Sequence, residues 1–85
     1  MKFEPVKKNS EGTSVIVLQT VLHCMQYLGA DGKPLAIDGH CGKNTVYAIN
    51  IFQKRMRAYG FECGTNGKND GCFGEKCWNI LLGDM

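Results

Sequence analysis

The sequence predicts an all-α fold, a compact three-helix bundle with two helix-turn repeats, on three observations. Apolar residues recur at helical spacing in three separate stretches. Segments rich in glycine and asparagine divide those stretches, and neither helix nor strand accommodates them at reasonable cost. The string Asp-Gly-x-x-Gly occurs twice, each time directly before a predicted helix. A chain of 85 residues is one domain. A domain this small buries only about 60–65% of its unfolded surface, so few large apolar side chains can be spared from its core.

Residues 1–10 are polar, with one proline, and read as a flexible arm preceding a domain over 11–85. The first helix is expected over about 13–28, where Val15, Leu18, Leu22 and Met25 form one stripe. Ser10 or Thr13 is the expected cap, since a hydroxyl accepts a hydrogen bond from a first-turn N–H. Gly29 is the expected stop, in the left-handed conformation that closes many helices. Residues 30–42 form a loop, with Leu35 and Ile37 turned inward as anchors. The second helix follows Gly42; Thr45, Ala48, Ile49, Phe52 and Met56 share its broad face, and Gly60 closes it. After the segment from Gly64 to Gly71, a last helix over about 75–82 carries Trp78, Leu81 and Leu82. The predicted core is Val15, Leu18, Leu22, Ala48, Phe52, Trp78 and Leu81, with Met25 extending the first stripe.

The repeated string is Asp38-Gly39-His40-Cys41-Gly42 and Asp70-Gly71-Cys72-Phe73-Gly74. Leu18-Gln19 and Phe52-Gln53 recur at a similar offset inside the preceding helices. An aspartate side chain accepts bonds from backbone N–H groups just ahead of it, forming an Asx turn. The glycines admit positive φ without a Cβ clash. Asp38, Gly39, Gly42, Asp70, Gly71 and Gly74 are therefore read as structural turn residues. A calcium loop is the competing reading, and it fails on spacing: counted from Asn66, the third position is Lys68 and the closing position is Cys77, neither of them an acidic ligand.

Composition excludes several function classes. Hydrophobic residues make up 44% and charged residues 21%, both ordinary for a folded globule. A net charge of +2, with no cluster of four basic residues, does not predict a nucleic-acid partner. Lys54, Arg55 and Arg57 read as the solvated face of a helix. No run approaches the roughly 18 apolar residues that membrane insertion needs. Five cysteines, Cys24, Cys41, Cys63, Cys72 and Cys77, are an odd number, so one at least has no partner within the chain. Free thiols, disulfides and a metal site from Cys63, Cys72 and Cys77 with Cys41 or His40 all remain open. Free thiols lead and metal comes last, because the set has no Cys-x-x-Cys pair. No metal and no cofactor is assigned. A nucleophilic pair could be drawn from His40 with Cys41 or Cys72, oriented by Asp38. Asp38 is already accounted for by its turn, and no catalytic residue is assigned.

Taken in order, these residues resemble the peptidoglycan-binding domain family. The elements are Gly12, Val15, Leu18-Gln19 and Leu22; then Asp38-Gly39-His40-Cys41-Gly42-Lys43-Asn44-Thr45, Ala48 and Phe52-Gln53; then Asp70-Gly71-Cys72-Phe73-Gly74, Trp78 and Leu81. The likeness covers residues 12–82. Cys77 departs from it, standing where the family usually has threonine, and Cys41 stands where an aromatic is frequent. The resemblance implies a three-helix cell-wall module that holds peptidoglycan, by its glycan or stem peptide, beside a partner such as a cell-wall hydrolase. The opening residues lack the apolar stretch of a secretory signal. The expectation is synthesis in the cytosol, with action at the cell wall or within a bacteriophage particle.

Two surfaces are candidates for binding. Tyr27, His40, Asn44 and Tyr47 are polar-tipped residues near the first turn and are the predicted ligand contacts. Ile16, Val46, Tyr47 and Ile51 exceed what the core stripes need and predict an apolar partner surface. That second surface supports the alternative function, a structural adaptor in a virion or envelope assembly.

Overall fold

The computed structural model describes residues 4–61 and 72–82. Among them three helices run in chain order: α1 over Thr13–Cys24, α2 over Lys43–Ala58 and α3 over Glu75–Leu82. Outside the helices, the β-type pairing among the described residues takes the form of isolated bridges, Val6 with Phe73, Glu11 with His40 and Leu28 with Pro34. The radius of gyration is 11.6 Å, close to the value of about 12 Å for a compact chain of this length.

α1 is one turn shorter than its apolar period suggests, and the stop is not Gly29. Gln26 adopts φ 66°; its N–H donates to the His23 carbonyl at 3.0 Å and the Tyr27 N–H donates to Leu22 at 2.9 Å. This pair of bonds is a Schellman motif, whose apolar contact is made by the residue after the left-handed one. Tyr27 fills that role and is 5% exposed beside buried Leu22. Met25, which the period assigns to the core, therefore falls outside the helix and is 47% exposed. Gly29 serves a different need: a Cβ there would come within 2.7 Å of the Asn44 Cβ. The start of α1 also differs. Its cap is Gly12, with no side-chain hydrogen bond, while the Ser10 hydroxyl accepts from the Lys7 N–H at 3.0 Å. α2 closes as the sequence suggests, with Gly60 at φ 91° and Phe61 N–H donating to Met56.

The core contains Val15, Leu18, Leu22, Ala48, Phe52 and Trp78, as the periodicity indicates, and Leu35 from the loop. Leu81 is only partly buried, packed against this cluster, and Ile37, expected inside, is exposed. Four aromatic rings run through the centre: Tyr27 and Phe52 have centroids 6.3 Å apart, Phe52 and Phe73 5.2 Å, and Phe73 and Trp78 4.9 Å edge to face. Such pairs add to the area term that each ring contributes by burial.

The largest departure concerns residues 4–10, which are not a loose arm. Val6 is fully buried and exchanges both backbone hydrogen bonds with Phe73, at 3.0 and 2.7 Å. Asn9 N–H donates to the Cys41 carbonyl and Cys41 N–H donates to Ser10, both at 2.8 Å. Trp78 Nε1 donates to the Glu4 carbonyl at 3.1 Å. The segment is a strap that ties α3 to the loop before α2. Apart from Pro5, Val6 is the segment's one apolar side chain, so no periodicity announces it.

Candidate functional site

The first corner, residues 38–42, is organised by one buried side chain. Gln19 is 1% exposed on the inner face of α1. Its Nε2 lies 3.0 Å from each of Asp38 Oδ1, the His40 carbonyl and Thr45 Oγ1, which share its two N–H donors. Its Oε1 accepts from the backbone N–H groups of Asp38 at 3.1 Å and Gly39 at 2.9 Å. A buried amide left without partners costs about 1–3 kcal/mol, so this satisfaction is what permits a glutamine in the core. Asp38 also accepts from the His40 N–H at 3.0 Å, an Asx turn. Gly39 has φ 76°, and a Cβ there would approach Ile16 Cγ1 to 3.2 Å. One clamp thus joins α1, the corner and the first turn of α2.

The pattern has a counterpart at the second corner. Gln53 is 1% exposed; its Nε2 donates to the Cys72 carbonyl at 3.0 Å and lies 3.6 Å from Cys77 Sγ. Cys77 occupies the place that Thr45 holds in the first corner, with a softer acceptor. Asp70 and Gly71 lie outside the described residues.

The His40 N–H and then the Gln19 amide, both donating to its carboxylate, hold Asp38 below the ordinary carboxylate range. A depressed folded value means that the contribution to stability is present above the unfolded pKa of about 3.9 and is lost as pH falls through the folded one. The urea midpoint of the wild type is therefore expected to exceed that of Asp38→Asn at neutral pH, with the gap closing below about pH 4. A gap that stays constant down to strongly acidic pH contradicts this role.

The predicted ligand residues divide. His40 is half exposed, its Nδ1 3.2 Å from Glu11 Oε1, and Tyr47 is 45% exposed. Both are accessible. Tyr27 is not: it is buried against Phe52 and roofed by Arg55, whose guanidinium carbon lies 4.9 Å from the ring centroid. Asn44 is committed to the fold, its Oδ1 accepting from the Ala30 N–H at 3.1 Å while its Cβ packs on Gly29. The expected partner surface contracts in the same way. Ile16 is exposed on α1, but Val46 and Ile51 are partly buried against the core.

The Cys–His–Asp grouping considered from sequence does not assemble at this corner. Asp38 faces Gln19 and the backbone of His40, and the His40 ring faces Glu11. Burial, assisted by the Asp38 charge and by Cys72, pushes the Cys41 thiol up to about 11. A thiol in that state is neutral and poorly nucleophilic at pH 7. Cys24, by contrast, is exposed. Among the described residues no group of three His, Cys, Asp or Glu side chains is placed to hold a metal, and no helix is long and apolar enough to cross a membrane.

Compared with protein-family models, with curated proteins and with solved structures, the chain finds no match.

Proposed function

We propose that the chain is a non-catalytic module that recognises bacterial cell-wall peptidoglycan, through its glycan or its stem peptide. One observation carries the reading. Gln19, Asp38, Gly39 and Thr45, which belong to the ordered pattern resembling the peptidoglycan-binding family, are the residues that interlock at the first corner. They act as a set, which supports treating the pattern as a signature and not as a coincidence of composition. His40 and Tyr47 remain accessible beside that framework and are the proposed contacts.

The test is co-sedimentation of the full chain with purified sacculi. The protein is expected in the pellet at low and moderate salt, with binding reduced by His40→Ala and Tyr47→Ala, whose side chains are exposed enough to leave the fold intact. Complete recovery in the supernatant at both salts would reject the proposal.

A second reading, a structural adaptor in a phage particle or envelope assembly, is favoured by Ile16 and Tyr47, each 45% exposed. It requires a stable association that Ile16→Ser and Tyr47→Ser abolish together.

A further inference from the structure

The strap over residues 4–11 is held almost entirely by contacts with distant parts of the chain. Val6 is fully buried and paired with Phe73, Asn9 and Ser10 are paired with Cys41, and Glu4 accepts from Trp78. It passes into α1 through a single residue, Gly12, at φ 114° and ψ −163°. That region of backbone space is essentially reserved to glycine. A Cβ built at Gly12 meets nothing within 4 Å, so the bend there is set by the backbone and not by packing. The Gly12 N–H donates to Gly39 at 3.2 Å, the last contact before the helix begins.

We propose that the strap is an exchangeable element and that the surface beneath it fits the strap of a second copy of this chain. The complementarity needs no new contact. The slot between Phe73 and Cys41 already receives this sequence, and another copy presents the same Val6 and the same backbone groups. The closed and exchanged forms differ at the hinge and in the entropy of association. A short tether holds its own strap at an effective concentration in the millimolar range, so the closed monomer dominates in dilute solution. A residue that cannot enter the Gly12 conformation swings the strap away from its own body and shifts the balance towards exchange. The idea does not rest on the glycan-binding role: Tyr47 is absent from the strap contacts, and His40 meets the strap at its last residue, Glu11.

The experiment uses the full chain, kept reduced, and refolded from urea at about 10 μM, far below the effective concentration of a short tether, and at about 1 mM, which reaches it. Mass is read by light scattering for the wild type and for Gly12→Ala, in which the added methyl group has open space. The wild type is expected to give dimer only at the higher concentration, and Gly12→Ala to dimerise at a concentration at least about tenfold lower. A synthetic peptide of residues 4–11 in excess is expected to suppress the dimer in both. Wild type that stays monomeric at the higher concentration overturns the proposal, whether or not the variant folds. So does a dimer that the peptide leaves unchanged, or one that Ile16→Ser with Tyr47→Ser removes, since either places the contact elsewhere.

Discussion

Gln19→Ala is expected to destabilise the protein by on the order of 3–5 kcal/mol, from the loss of buried hydrogen bonds and the cavity left behind. Five interactions converge on this amide, and they span three pieces of the fold. Once it is removed, the Asp38 and Gly39 N–H groups and the Thr45 hydroxyl must find water or remain unpaired. Small domains have roughly 5–15 kcal/mol in total, so the variant retains at best a narrow margin. A loss of this size corresponds to a fall in Tm of roughly 4–8 °C for each kcal/mol in a domain of this length. Gln19→Met separates the two components. It fills most of the volume but offers none of the polar bonds, so the destabilisation that survives in it is the hydrogen-bonding part. Urea titration followed by far-ultraviolet circular dichroism measures both variants. If Gln19→Ala lies within about 1 kcal/mol of the wild type, a net value nearer that of one ordinary hydrogen bond, the clamp does not hold the corner.

A chain that begins at Gly12 is expected to lose its cooperative fold at room temperature. Burial of Val6 is worth about 1.5–2 kcal/mol. Each backbone bond to Phe73 and Cys41 contributes about 1 kcal/mol net, and so does the Trp78 bond to the Glu4 carbonyl. Together these approach the whole stability of a domain this size. Val6→Asp tests the same contacts without shortening the chain, because a carboxylate in that pocket must either stay charged without a partner or bind a proton. The measurement is amide dispersion by NMR together with thermal unfolding. A truncated chain that unfolds cooperatively near the wild-type Tm would show residues 4–11 to be dispensable and would restore the reading of a loose arm.

The first corner was more legible in the sequence than the residues around it. Asp38 and Gly39 sit in a string whose turn chemistry is local: a carboxylate reaching an N–H two residues on, and a glycine at positive φ. Thr45 and Gln19 were marked only by the ordered pattern, and their mutual hydrogen bond becomes visible when α1 and α2 are brought together. Tyr27 was misplaced for a specific reason. The period of α1 continued past Cys24, and nothing in the residue types marked Gln26 as the left-handed stop that turns Tyr27 inward. Asn44 looked like an available polar tip because its partner, the Ala30 N–H, belongs to a loop whose path the sequence does not specify. Val46 and Ile51 keep only part of their surface exposed, since an apolar residue beside a stripe is exposed or covered according to what packs on that flank.

The sequence by itself determined the three helices, most residues of their inner faces and the turn at Asp38, because each depends on periodicity or backbone preference within a few residues. Only the tertiary structure decided that Val6 completes the core, that four aromatic rings meet in its centre, and that Tyr27, among the expected ligand contacts, is buried. Those outcomes rest on contacts between residues far apart in the chain, such as Glu4 with Trp78. Their free energy appears when the helices pack, and no local pattern encodes it.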